Sequence, residues 1–310
     1  VIDRRLFVRP SSLPGLDLCP GKALMEARAV DRCPEIARIE HPQAKQGTIG
    51  HEIVAQTLSI IYHGPDGKVN PAEALSKMAS ALAQLDSWSA DSARRCVSYA
   101  VALVDREIAS GYLPQVFVEM HLPGADLGLS FGGTADVVIL SYISGKNGIQ
   151  RVIIQDHKLG WLDQGQASEH LQLAAYAAMA FRKFEPLQDV EIHLAQGRRK
   201  EFSAASFTRD SIEMVSEKIR AVTKSAWGSF PELNPNIESC RYCKALSLCA
   251  AARERIMNAS QEASLFGIED VDKVKLMEDS AIAKRFIEEV SLLQKEMTRS
   301  NQAEVTEVVE

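Results

Sequence analysis

Aromatic residues make up only 6% of the 310 positions, so aliphatic side chains must supply most of the core. No run reaches the roughly 18 apolar residues that a membrane helix needs, and none is expected. The opening VIDRRLFVRP lacks the apolar stretch of a secretory signal, so no signal peptide is expected. Basic charge is not in excess: the net charge is −6, and no global attraction for nucleic acid follows from it. A G-x-x-x-x-G-K-[ST] loop is missing, which argues against an ATPase motor. Cysteines number only six. Without a secretion signal they suggest a reducing, cytoplasmic setting, where clustered thiols are metal ligands rather than disulfides.

What is present is a chain with 46% hydrophobic residues, enough to bury a sizeable core. Its charge is uneven. From Glu262 to Glu310 twelve acidic residues meet six basic ones, so the rest of the chain is neutral. A neutral body can still hold a basic groove. Arg94-Arg95, Arg182-Lys183 and Arg198-Arg199-Lys200 are candidate contributors, and each is also an ordinary solvated pair.

The hydrophobic pattern divides the chain into three parts. Residues 1–115 read as helical. Ser11-Ser12 and Pro14 open a segment carrying Cys19, and Thr48 is expected to cap a helix from His51 to about Tyr62. Residues 63–71 read as a loop, and 72–110 as two helices. Residues 116–257 form an α/β core. Strands are expected at 116–122, within 129–142, at 150–159 and at 190–195, and helices at 166–184 and 208–227. Residues 258–310 form an acidic helical tail. Its apolar stripe is Ile282, Phe286, Val290, Leu293 and Met297, and the only plausible linker is about 258–270.

The third strand carries the chemistry. Residues two apart on a strand share a face, so Asp156 and Lys158 point together while Gln155 points oppositely. Charged groups ending an apolar strand need a partner or a metal. Asp136 stands on the neighbouring hairpin strand, and two carboxylates on adjacent strands can meet at one hard cation such as Mg²⁺ or Mn²⁺. A divalent metal activates water and polarises a phosphate oxygen, while a lysine orients the water or neutralises developing charge. Phosphodiester hydrolysis requires that combination. Glu119 sits on the strand before. Gln172 and Tyr176, four apart on the following helix, share a face and can reach the same cleft.

Cys240, Cys243 and Cys249 form C-x2-C-x5-C, one thiol short of a tetrahedral set. Cys19, Cys33 and Cys96 are the available fourth ligands. Cys96, in a helical stretch, reads as a buried small hydrophobe. Thiolates suit zinc and iron–sulfur clusters alike, so the spacing leaves both open.

The ordered motifs G-G-T-A-D, I-I-Q-D-H-K and Q-L-A-A-Y resemble those of the RecB-type branch of the PD-(D/E)XK nucleases. The resemblance runs from about Ser11 to Cys249, and is closest to the stand-alone CRISPR-associated and phage-encoded exonucleases. It implies a mixed central sheet flanked by helices, of the restriction-endonuclease-like type, with an N-terminal helical region. It implies Asp136, Asp156, Lys158, Gln172 and Tyr176 as site residues. The metal ligands it implies are His51, in G-T-I-G-H, with Asp136, Asp156 and the backbone carbonyl of His157. Glu119 would support the ligands or orient DNA. The resemblance also implies a 4Fe–4S cluster on Cys19, Cys240, Cys243 and Cys249, with Cys33 as runner-up for the first position. The expected activity is exonucleolytic cleavage at single-stranded or duplex DNA ends, in a bacterial or phage-infected cell. An annealing recombinase or a CRISPR protein is the expected partner. The competing expectations are a catalytically degenerate cysteine-cluster DNA-binding module and a nicking endonuclease or RNase of the same fold.

Overall fold

The computed structural model describes residues 8–38, 42–63, 69–130, 132–160, 162–266 and 273–309. They fall into two compact units. One gathers Arg9–Ser11 with the described residues of His41–Arg220. The other gathers Val8 with the described residues of Ser12–Glu40 and Ala221–Glu310. These groupings do not follow chain order, because the second unit joins the first and last parts of the sequence.

The larger unit is a mixed α/β body around five strands: β1 (Leu113–Leu122), β2 (Gly133–Tyr142), β3 (Arg151–Lys158), β4 (Asp189–Gln196) and β5 (Glu201–Thr208). They lie in the order β1-β2-β3-β4-β5. All pairs are antiparallel except β3 with β4, which is parallel. A parallel pair needs a crossover, and the helix Leu171–Lys183 lies in that connection. Gln155 donates to the carbonyl of Cys96 on the helix Ser87–Ala109, whereas Asp156 receives a bond from Gln172 on Leu171–Lys183. Neighbouring residues on a strand face opposite ways, so these two helices cover opposite faces of the sheet. That accounts for the near-continuous apolar runs of the central strands. Val137, Val138, Ile139, Ile153 and Ile154 are all fully buried. Each contributes roughly 1.5–3 kcal/mol by burial.

Several local expectations change. Thr48 does not cap a helix. The helix runs Pro42–His63, and the Thr48 hydroxyl donates to the Ala44 carbonyl one turn back. Between 72 and 110 a short helical turn, Ala79–Leu82, separates Pro71–Lys77 from Ser87–Ala109. Strand β5 carries no strong apolar signal because it is an edge strand, exposed at alternate positions. Of the expected loop at 63–71, residues 64–68 lie outside the described residues. Helix Ala250–Phe266 occupies the first part of the expected linker, whose remainder, 267–270, also lies outside them.

In the smaller unit, Cys240, Cys243, Leu246 and Cys249 pack with Ala29, Ile36 and Ile282, and with Phe286 and Leu293 from the stripe of the helix Lys273–Val309. The tail stripe thus serves its own unit at those positions, while Met297 is exposed. Gly21 joins the early and late segments. Its N–H donates to the Glu232 carbonyl at 2.8 Å, and a Cβ there would lie 2.5 Å from Leu233 Cδ2.

The larger unit also holds a buried charge network at the far end of the strands from Asp156. Glu191 Oε1 lies 2.7 Å from His193 Nε2 and 2.8 Å from Arg106 Nη1, and Arg151 pairs with Oε2. His193 Nδ1 lies 2.8 Å from Tyr99 Oη. Burial pushes the Glu191 carboxyl upward, but His193, Arg106 and Arg151 outweigh it and hold its pKa down at about 2. Its ordinary value is 4.5, so the network favours the carboxylate. Its stabilisation is complete above that value and is lost as pH falls toward 2. Glu191→Gln is expected to cost about 2 kcal/mol at neutral pH. It should also flatten the stability curve between pH 4.5 and 2. Chemical denaturation across pH checks both.

Candidate functional site

The site residues of the larger unit converge at the C-terminal end of β3. The helix Pro42–His63 brings His51 there. Gly50, the residue before it, makes the approach possible, since a Cβ would lie 2.5 Å from Leu159 Cδ1. His51 Nδ1 then lies 3.5 Å from Asp136 Oδ2 on β2. The same oxygen accepts the backbone N–H of His157 at 2.6 Å, and His157 Nδ1 is 3.8 Å away. His51, Asp136 and His157 each offer one ligand atom, all within 4.8 Å of one another.

Asp156 is not in that trio. It is held instead by an interlocked set of side chains. Gln172 Nε2 donates to Asp156 Oδ1 at 2.8 Å, while Gln172 Oε1 accepts from Lys158 Nζ at 2.9 Å. Lys158 Nζ also lies 2.7 Å from Asp156 Oδ2. Gln172 Nε2 reaches the Tyr176 hydroxyl at 3.2 Å, and that hydroxyl donates to the Thr134 carbonyl at 2.8 Å. The helix pair Gln172/Tyr176 therefore ties β3 to the start of β2. Gly133 lets the ring lie there, because a Cβ would sit 2.9 Å from Tyr176 Cε1 and 2.5 Å from Pro10 Cγ.

The electrostatics follow from two buried acids close together. For Asp136, burial opposes ionisation, but the hydrogen bond and charge of His51 and the His157 contacts win, holding its carboxyl well below the usual range. For Asp156, burial raises the pKa; Lys158 opposes this and Asp136 adds to it, with a net rise. His51 is raised: burial works against it, and the two aspartates outweigh burial. His157 is pushed down to about 4 by burial, despite Asp136. Its Nε2 is buried without a hydrogen-bond partner, and Asp156 Oδ2 has only its ion pair with Lys158. Oxygen and imidazole donors with lone pairs left over fit a divalent cation.

Glu119 falls opposite Asp136 in the β1–β2 register, between the pairs Val118↔Val137 and Met120↔Ala135. It has φ +54, a left-handed backbone that non-glycine residues rarely adopt. Partial desolvation, then Asp136, raises its carboxyl pKa, which places it within the electrostatic reach of the site. Two residues escaped the sequence reading. The His157 ring sits beside Asp136, whereas only its backbone carbonyl was expected to matter. His170 is buried with its Nδ1 unpartnered, and burial followed by Lys158 pushes its pKa to about 3. No motif marks either one; only the fold brings them in.

In each candidate basic pair or run, one arginine has an acidic partner. Arg94 pairs with Asp91, Arg182 with Asp126, and Arg199 with Glu201 and Asp163.

In the smaller unit all four expected cluster cysteines are buried free thiols. Cys19 accepts the Asn234 N–H at 3.4 Å. Burial raises the pKa of Cys19, Cys240 and Cys243; Cys249 raises Cys19 further, and Cys19 and Cys249 raise Cys240. Cys19 is thus electrostatically coupled to the C-terminal thiols. Cys33 turns to Glu35 Oε2, 3.1 Å away. Cys96 lies in the other unit, fully buried against the Ala195 carbonyl. Among the described residues no three of these sulfurs lie within 4.8 Å of one another.

Fold and site together define a mixed α/β protein with a five-stranded mixed sheet flanked by helices and a His/Asp/His group suited to a metal ion. The chain belongs to the DUF2800 family, described as a protein of unknown function, whose profile matches residues 19–308. That span takes in Cys19, the whole sheet and nearly all of the acidic tail. No curated protein matches the chain.

If the trio holds the cation, Asp136→Ala is expected to abolish tight Mn²⁺ binding in calorimetric titration. Gln172→Ala, which only frees Asp156 and Lys158 to move, should weaken it by about tenfold.

Proposed function

We propose that the protein is a divalent-metal-dependent DNA nuclease of the RecB-like PD-(D/E)XK type, acting at strand ends. The observation that carries this reading is the interlock of Asp156, Gln172 and Lys158 beside the Asp136/His51 pair. Hydrolysis of a phosphodiester needs a water nucleophile and relief of the extra negative charge on a pentacovalent phosphorus. A bound Mg²⁺ or Mn²⁺ would supply water activation and Lewis acidity. His51, Asp136, Asp156 and His157, by carbonyl or ring, are the residues that would hold it.

The chain's own groups do the rest. Asp136 is ionised in advance, because His51 and the His157 N–H hold it so. Lys158 keeps its ammonium on the same face as Asp156, aimed by Gln172, where it can neutralise charge that develops during attack. Gln172 fixes both partners with one planar amide, so neither acid nor lysine must reorganise. Tyr176 anchors that amide to the strand carrying Asp136. Glu119 adds a third carboxylate at the rim. In a bacterial or phage-infected cell such an enzyme would process DNA ends for recombination, alongside an annealing recombinase.

The thiols support a 4Fe–4S cluster in the smaller unit, on Cys19, Cys240, Cys243 and Cys249. Thiolates suit zinc as well, which stands as the alternative. The role of the metal centre would be to hold the first segment of the chain to the last.

The test of the activity is hydrolysis of end-labelled linear and circular DNA with Mg²⁺ or Mn²⁺. Asp156→Ala and Lys158→Ala are expected to lower the rate by at least about a hundredfold. Variants as active as the parent would refute the assignment. For the cluster, iron and sulfide analysis of the purified protein is expected to be positive. Cys19→Ser should lose iron and at least about 2 kcal/mol of stability. Cys33→Ser should keep both.

A further inference from the structure

The cysteine segment of the smaller unit has little regular structure of its own. Cys240 ends the short helix Ile237–Cys240, and the turn Leu246–Leu248 precedes Cys249. Backbone groups in such a loop need partners from elsewhere when they are buried. Several of those partners sit on the helix Lys273–Val309, which carries no cysteine.

The contacts run in the same order along helix and loop. Asp279 and Glu278 pair with Arg255. Arg255 in turn donates to the Pro235 carbonyl, next to Asn236, whose side chain caps the helix that ends at Cys240. Further along, Arg285 Nε donates to the carbonyl of Arg241, the residue after Cys240, at 2.6 Å. One turn later, Glu289 Oε1 accepts the Ser247 backbone N–H at 3.3 Å and the Ser247 hydroxyl at 3.2 Å. Arg285 Nη2 lies 3.4 Å from Glu289 Oε2. A single ion pair thus grips the loop on both sides of Cys243.

That pair is a poor device for stability alone. Glu289 is 2% exposed, and Arg285 Nη1 and Glu289 Oε2 are buried without a hydrogen bond. A buried ion pair with polar groups left over does no better for stability than apolar side chains of similar size. Ile282, Phe286 and Leu293 of the same helix already supply an apolar contact to this unit. What the pair adds is position. It fixes the carbonyl that follows Cys240 and the N–H that comes shortly before Cys249.

We propose that the helix Lys273–Val309 is the latch of a thiol-bound metal centre: through Arg285 and Glu289 it holds the cysteine loop closed and so slows loss of the metal. The proposal rests on the reading that Cys19, Cys240, Cys243 and Cys249 hold such a centre. Those four are buried free thiols, and Cys19 is electrostatically coupled to Cys249, a donor set that suits a thiolate-bound metal. With Arg241 and Ser247 gripped, the loop thiols keep one arrangement. With the grip lost, a thiol can swing away and leave its place to a competing ligand. Arg285 and Glu289 are therefore positioning residues that act through the loop.

The experiment loads the full chain with iron and sulfide, or with Zn²⁺, and measures the metal bound. Transfer of that metal to excess chelator is then followed by absorbance, well below the melting temperature. Glu289→Ala is expected to release it about tenfold faster than the parent. Glu289→Gln keeps an oxygen for Ser247 and should fall between the two. Ile282→Val loosens the apolar side of the same helix without touching the loop. It should lower the melting temperature and leave the release rate at the parental value, which separates positioning from stability. Parental release from both Glu289 variants, or release from Ile282→Val as fast as from Glu289→Ala, would overturn the latch and leave the thiol-bound centre standing. A parent chain that binds neither iron nor zinc overturns the centre, and the latch with it.

Discussion

Two buried carboxylates set the terms for the larger unit. Asp136 and Asp156 stand on adjacent strands, close enough that Asp136 helps raise the pKa of Asp156. Two anions buried together are strongly unfavourable unless cations and donors surround them. The surrounding structure answers that need group by group. His51 arrives on its own helix, through the gap left by Gly50. The His157 N–H turns toward Asp136. Lys158 and Gln172 close around Asp156. What they leave is an asymmetry: Asp136 ionises readily, while Asp156 resists. In the proposed reading, a divalent cation is the species that would relieve Asp156.

Much of this was readable before any coordinates. Strand alternation alone put Asp156 and Lys158 on one face and Gln155 on the other, and their hydrogen bonds agree. Helical spacing put Gln172 and Tyr176 together, and they are joined at 3.2 Å. The sequence could not show the division of labour within Gln172, whose oxygen serves Lys158 and whose nitrogen serves Asp156. Nor could it show the His157 ring, since a residue flanked by Asp156 and Lys158 on a strand is expected to turn its side chain away. Strand β5 was missed because an edge strand need bury little, and Glu201–Thr208 alternates without bulk. The helix around His51 begins earlier than Thr48 suggested. Pro42, a residue at home in a first helical turn, was the better start signal.

The two units solve opposite electrostatic problems with buried groups. In the larger one, anionic oxygens are gathered with cationic nitrogen partners near them. In the smaller one, burial raises the pKa of Cys19, Cys240 and Cys243, and the charge of Lys22 offsets it only in part at Cys19 and Cys243. In the proposed cluster, the metal centre would replace those protons. For the proposed cluster, electrostatics favours Cys19 over Cys33. Cys33 spends its S–H on Glu35, and a neighbouring carboxylate opposes thiolate formation. The acidic tail contributes apolar side chains to the same cluster, so its negative charge need not have any part in binding.

Glu119 is the point where these arguments meet. A glutamate with φ +54 carries backbone strain of about 1–3 kcal/mol. The pairs on either side of it keep perfect register with β2, so the strain does not serve to shift the strands. It is confined to one residue, whose carboxyl pKa is raised by partial desolvation and then by Asp136. A third carboxylate drawn into the field of two others is unfavourable unless cations or donors balance it. Backbone strain and unfavourable charge thus fall at one position, opposite Asp136 in the register.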